Sequence, residues 1–160
     1  MATCPDSLTW MLVKNQNCFQ QKRNGQTKRS GMIVLSSEPG NLRNINAFKY
    51  SGLANSKAIR FDFKEEGEDD DKKIKMSMGL KISKNGKRPN KQYSTIPLNK
   101  DFRRVEKCIK AQTVDQAYRA DLLDAALARW SALHRYSKVK KGIMKPAYFK
   151  PAKGSEEDES

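Results

Sequence analysis

Histidine occurs once in this chain, at position 134, and cysteine three times, at positions 4, 18 and 108. The cysteine spacings are unrelated and form no paired motif, so neither a zinc ribbon nor a dithiol redox site is expected. Ordinary packing in a reducing compartment fits them. A hydrolase or transferase needs convergent groups, and His134 stands beside Arg135 and Tyr136 near the end of an expected helix, with nothing to pair with. Histidine in such a place more often meets the helix's negative end or a phosphate. Also missing are a phosphate-cradling glycine loop and a metal-ligand helix motif, and the one acidic run lacks the ligand alternation of a calcium loop. The expectation is a chain with no catalytic residue, no metal, no cofactor and no small-molecule substrate.

Long apolar runs are absent as well. The first residues, Met1 to Val13, carry no basic region, and the apolar stretch Leu8 to Val13 is too short for a signal sequence. No later run is long enough to span a bilayer, so no membrane is expected and a cytosolic or nuclear protein is implied. Hydrophobic residues make up only 37% of the 160, which suits one modest domain with a small core and long margins. The domain is expected over residues 7–136, after an extension at 1–6 and before an extended tail at 137–160 that is basic and then ends in acids.

What the chain has in excess is positive charge. Lys and Arg total 32 against 18 Asp and Glu, a net +14. Six acids fall between Glu65 and Asp71 and four between Glu156 and Glu159. Setting those ten aside leaves 32 cations against 8 anions, an excess of 24 over the remainder. Charge that far from zero favours a polyanionic partner and opposes self-association, so a homo-oligomer is not expected.

The patterning predicts an α+β fold: a small antiparallel sheet, a short N-terminal helix and a C-terminal helical pair. Ser7 can cap a helix over Leu8 to Asn15 with Leu8, Met11 and Leu12 on one side. Cys18 to Arg23 and Met32 to Leu35 read as paired strands around an Asn24-Gly25 turn, and Ala47 to Ser51 as another strand after the turn at Glu38-Pro39-Gly40-Asn41. Ile59, Phe61 and Phe63, then Ile74, Met76, Met78, Leu80 and Ile82, alternate with polar residues and predict two strands buried on one face, joined by an exposed acidic loop at Glu65 to Asp71. Asn85-Gly86 would end the sheet. Asn99 can cap a helix to about Lys110 with Phe102, Val105 and Ile109 inward, and after a loop a second helix over Arg119 to Tyr136 aligns Leu122, Leu123, Ala126, Leu127, Trp130 and Leu133. From Ser137 to Lys153 there are six lysines, two prolines and no acid, a stretch expected to order only against a partner.

The cations recur in loops, helix faces and the tail, where phosphates can reach them. The candidate RNA-binding residues are Lys22, Arg23, Lys28, Arg29, Arg43, Lys49, Lys84, Lys87, Arg88, Lys91, Arg103, Arg104, Arg135, Lys138, Lys140, Lys141 and Lys145. Interleaved aromatics, chiefly Tyr93, Tyr148 and Phe149, could stack on unpaired bases, and Phe48 and Tyr50 either do so or belong to the core.

Four stretches carry a resemblance: Leu8-Thr9-Trp10-Met11-Leu12-Val13-Lys14-Asn15, Glu38-Pro39-Gly40-Asn41-Leu42, Asn46-Ala47-Phe48-Lys49-Tyr50-Ser51-Gly52-Leu53 and Tyr118-Arg119-Ala120-Asp121-Leu122. In their order and spacing they resemble the eukaryote-specific family twenty-eight of large-subunit ribosomal proteins, over roughly Leu8 to Lys145. The resemblance implies a structural constituent of the cytoplasmic large subunit. It would bind large-subunit ribosomal RNA beside neighbouring ribosomal proteins and pass through the nucleolus during assembly. The residues around Lys28 to Ile33, the acidic loop and the acidic end at Glu156 to Ser160 depart from it, and are expected to project from the particle or face something other than RNA. A nucleolar assembly factor with a similar domain is the nearest alternative, but it is longer and carries several cysteines in the stretch matching Gly31 to Ser56, where this chain has none. A generic basic nucleic-acid or chromatin protein is the other alternative.

Overall fold

Alternation of apolar and polar residues over 59–63 and 74–82 forces a sheet with one face hidden, and the computed structural model shows what hides it. The structure describes residues 4–22, 33–66, 73–86 and 88–146. Strands β3 (Ile59–Glu66) and β4 (Lys73–Lys81) pair antiparallel, Phe61 opposite Met78 and Phe63 opposite Met76. Helices α2 (Phe102–Lys110) and α3 (Leu123–Lys140) cover the apolar face. Ile59, Met78, Val105, Ile109, Ala126 and Trp130 form the centre of the core, each at most 2% exposed. The α+β class is as predicted, and so are the apolar stripes of both helices except at Phe102, expected inward but 42% exposed.

The sheet has a third strand that alternation missed. Strand β5 (Tyr93–Pro97) pairs antiparallel with β4, Ile96 opposite Met78, so the sheet does not end at Asn85-Gly86. Its composition is mostly polar and it holds a proline, which lacks a donor and is tolerated at an edge. Two short 3-10 turns, Ser83–Asn85 and Pro89–Lys91, lie in the link from β4.

A second, two-stranded sheet pairs β1 (Gln20–Lys22) with β2 (Val34–Ser36), as expected in type. Lys22 lies opposite Val34, so residues 23–33 intervene and the link is longer than a two-residue turn. Asn24-Gly25 itself lies outside the described residues.

The Glu38-Pro39-Gly40-Asn41 turn is present, with Gly40 at φ +83°. The predicted strand at Ala47 to Ser51 is not: Phe48–Tyr50 is a 3-10 turn. The buried Glu38 carboxylate accepts hydrogen bonds from Ser51 Oγ (3.0 Å), the Leu53 amide (3.2 Å) and Asn41 Nδ2 (3.0 Å). Those bonds pull the chain back over the turn, and the amides of Tyr50 and Ser51 close onto the Ala47 carbonyl instead of a neighbouring strand.

Helix α1 (Asp6–Val13) begins before Ser7, with Asp6 complementing the positive end of the helix dipole. Its expected inward face is outward: Leu8, Met11 and Leu12 are 47%, 66% and 66% exposed. The core is already filled by α2 and α3, and α1 is held at the edge by Trp10 against Phe48 (6.0 Å between centroids) and by the Ser56 amide donating to Asp6 (2.9 Å).

In the helical pair, α2 starts at Phe102 after Asp101 rather than from an Asn99 cap. It continues into a wide turn at Ala111–Asp115 where a loop was expected, and Thr113 Oγ1 donates to the Ile109 carbonyl (2.8 Å). A 3-10 turn at Ala120–Leu122 leads into α3. The helix runs past Tyr136 to Lys140, ending at Gly142 in the left-handed region (φ +71°). Tyr136 packs edge-on against Phe63 (5.1 Å), and Lys140 approaches Glu65 (3.5 Å), which tie the last turns to the sheet. Glu65 is therefore a strand residue facing a lysine, not part of a free acidic loop. Residues 67–72 lie outside the described residues. Cys4 and Cys18 are exposed, so ordinary packing applies only to Cys108 beside the core.

Candidate nucleic-acid interface

The cations fall into three groups on the fold. The first lies on the link between β4 and β5, where Lys84, Arg88 and Lys91 are exposed. The second is the outer face of α2, with Arg103 and Arg104 exposed, Arg104 only loosely near Asp101 (3.9 Å). The third is the C-terminal end of α3 and the residues after it: Arg135, Lys140, Lys141 and Lys145 are exposed and Lys138 is half-buried.

Arg43 and Lys49 stand apart from these groups. Arg43 is exposed beside the 38–41 turn, its amide donating to Asn41 Oδ1 (3.2 Å). Lys49 is exposed, its ammonium 5.8 Å from the Tyr50 ring centre. Lys22 is the last residue of β1. Arg23, Lys28, Arg29, Lys87, Tyr148 and Phe149 lie outside the described residues.

Tyr93, chosen from the sequence as a stacking ring, is half-buried with the Arg60 guanidinium 4.2 Å from its centre. Burial raises its hydroxyl pKa. That face of the ring is already covered and is not open to a base. Phe48 is 40% exposed but leans on Trp10, and Tyr50 packs against the core.

Several cations are consumed inside the fold. Lys81, read as an outward residue of its strand, donates from Nζ to the carbonyls of Gly52 (2.7 Å) and Asn55 (2.8 Å), and burial lowers its pKa. Arg119 bridges to the carbonyls of Lys57 (3.0 Å) and Lys49 (2.8 Å) while holding Asp121 in two contacts (2.8 and 2.9 Å). The arginine holds the Asp121 carboxyl below its ordinary range. Arg60 pairs with Asp62 (3.0 Å).

The structure also brings together residues that the sequence kept apart. His134 lies 4.6 Å, centroid to centroid, from Phe102 on the other helix. Lys100, just before α2, shares the lining of one cleft with Lys138 and Lys141. Lys100 and Phe102 were absent from the sequence-derived set, Phe102 because its helical spacing marked it as core. Among the described residues, no group of His, Cys, Asp and Glu could hold a metal ion, and no helix is long and apolar enough to cross a membrane.

Fold and surface together define a small, strongly basic α+β protein whose cations are in part exposed and in part spent on internal bracing. Residues 8–136 match the ribosomal L28e protein family. The large ribosomal subunit protein eL28 of Dictyostelium discoideum is 32% identical over 147 residues, spanning 91% of this chain and 96% of that protein. Its namesake in Schizosaccharomyces pombe is 28% identical over 140 residues, 86% of this chain and 96% of that one. The chain belongs to the ribosomal L28e family. It is a structural protein of the ribosome and not an enzyme.

Proposed function

We propose that this chain is a structural constituent of the large ribosomal subunit that binds ribosomal RNA. It does so through the β4–β5 link, the outer face of α2 and the C-terminal end of α3, alongside neighbouring ribosomal proteins. The observation that carries the reading is the clustering of exposed Lys and Arg on these three surfaces, in a chain whose relatives are named for that subunit. Polyphosphate contact needs mobile or fork-shaped cations and no catalytic geometry, which is the chemistry these surfaces offer. The +14 charge keeps copies of the chain apart and favours a monomer in the particle. Such a protein works in cytoplasmic ribosomes and joins precursor particles in the nucleolus.

Sedimentation of cell extract at high salt tests this. The chain should stay with mature large subunits at near one copy per particle. Confinement to nucleolar precursors would instead make it an assembly factor. With purified chain, about eight phosphate contacts give a log-log salt slope of roughly −6 to −7 on RNA. Binding duplex DNA as tightly as ribosomal RNA would sink the RNA reading.

A further inference from the structure

At one end of the helical layer, a cleft of about 430 Å³ opens between the start of α2 and the last turns of α3. That volume is within the ~300–1,000 Å³ typical of ligand sites. Ile74, Met76 and Leu98 are among its apolar lining. Phe102 also lines it and is 42% exposed, its ring 4.6 Å from His134 and 6.1 Å from Trp130, nearly parallel to the indole at 16°. Lys100, Lys138 and Lys141 share the lining. Asp101 is the one acid lining it among the described residues, exposed and near Arg104 (3.9 Å). Trp130 lines the cleft too, is 2% exposed, and its Nε1–H is buried with no hydrogen-bond partner among the described residues.

These features make different demands on an occupant. The half-exposed Phe102 ring, tilted 37° against His134, calls for a flat apolar partner. Three ammonium groups around it call for anions, and an apolar protein surface would have to strip their water without recompense. A nucleotide meets both, with a π face and a phosphate. The burial of His134 beside Lys138 and Lys141 lowers its pKa, which leaves the imidazole neutral and suited to stacking near pH 7.

We propose that this cleft receives one unpaired nucleotide of RNA, its base against Phe102 and His134 and its phosphates among Lys100, Lys138 and Lys141. The proposal rests on the RNA-binding reading and adds a site that favours single-stranded or bulged RNA over plain duplex.

The test is anisotropy binding of the full-length chain to a short, non-pairing RNA strand and to an RNA duplex, across a salt series. Phe102→Ala and Phe102→Leu should each weaken single-strand binding roughly 5- to 150-fold, the range expected for one stacked base, with the salt slope unchanged. Duplex binding should stay as in the wild type. Lys138→Ala or Lys141→Ala should instead flatten the single-strand slope by about 0.7 each. Thermal melts and the Leu variant, which keeps apolar cover over Trp130, guard against simple unfolding. If the wild type binds the strand and both Phe102 variants bind equally well, the site is refuted while RNA binding stands. If the wild type binds neither RNA, the broader reading falls with it. A photo-crosslinking residue at position 102 that joins protein rather than RNA in the assembled particle would also overturn the proposal.

Discussion

Glu38→Ala should be among the most damaging single changes outside the apolar core. The side chain is 5% exposed, and its two oxygens accept from Asn41 Nδ2, Ser51 Oγ and the Leu53 amide at 3.0, 3.0 and 3.2 Å. Truncation leaves those donors without their carboxylate partner, two of them on the buried residues Asn41 and Ser51. Hydrogen bonds to a charged group contribute about 1.5–3 kcal/mol each, and bonds sharing one acceptor are not additive, so the loss should be about 3–5 kcal/mol. That is a large share of the ~5–15 kcal/mol that stabilises an ordinary domain. Glu38→Gln separates charge from shape. It preserves the volume but sets an amide NH2 against donors on one side, and should cost about 1–3 kcal/mol. Urea unfolding followed by tryptophan fluorescence measures both, with the midpoints compared at constant m-value. A loss below about 1 kcal/mol for the alanine variant would show that water or a shifted side chain satisfies the donors, and the bracing role of Glu38 would be wrong.

Three further outcomes are expected. Gly52→Ala should destabilise by at least about 1–3 kcal/mol in the same assay, because a Cβ would stand 2.1 Å from the Pro39 carbonyl oxygen and force the turn to move; wild-type stability would mean the turn yields freely. Leu12→Ala should change stability by no more than about 0.5 kcal/mol, since its side chain is 66% exposed; a loss of core size would place the α1 face inward after all. His134 has a pKa below its ordinary 6.5 through burial first and then Lys138 and Lys141. The unfolded chain therefore takes up a proton before the folded one, and stability should fall as pH drops through 6.5 toward the lowered folded value. Unfolding midpoints of the wild type and His134→Gln across that window should converge at lower pH, and parallel profiles would contradict the assignment.

How far the sequence revealed the fold follows from where the signal was local. Strands β3 and β4 and the stripes of α2 and α3 were legible because alternation or helical spacing persists over many residues, and periodicity survives any tertiary detail. Strand β5 was not, since Tyr93 to Pro97 owes its conformation to pairing with β4 rather than to its own pattern. The 48–50 turn was read as a strand because aromatic residues favour strands, and the bond from Glu38 that redirects it comes from thirteen positions away in sequence. Exposed lysines could be proposed from charge alone, but charge cannot say which cations are spent internally. Lys81 and Arg119 look like their neighbours in sequence and differ only through carbonyls supplied by residues 49–57. Phe102 was misjudged in the opposite sense, as an inward stripe residue that the end of the core leaves half-exposed.

The residues that made the family recognisable are bracing residues more than surface ones. Glu38 grips Asn41, Ser51 and Leu53; Tyr118 donates from its hydroxyl to the Lys81 carbonyl (2.6 Å) and accepts from the Ala58 amide (3.1 Å); Arg119 ties Lys49 and Lys57; and Lys81, outside those stretches, grips the carbonyls of Gly52 and Asn55. Three stretches far apart in sequence thus converge on the segment 48–58, which has almost no regular structure of its own and depends on side-chain bonds for its shape. Each such bond needs one residue type at one position, because a shifted or shortened side chain leaves a buried group unpaired. A phosphate-facing lysine carries no such demand, since a cation one position away on a mobile stem reaches the same phosphate. Identity is therefore written in the knot around 48–58, while contact with RNA is written in charge density. Swapping an exposed pair such as Ser83 and Lys84 should leave RNA affinity nearly unchanged in the salt-series assay, whereas Arg119→Lys, which cannot reproduce the two-pronged hold on Asp121, should lower the unfolding midpoint without altering the salt slope. A slope that fell with Arg119→Lys would move that residue from the scaffold to the interface.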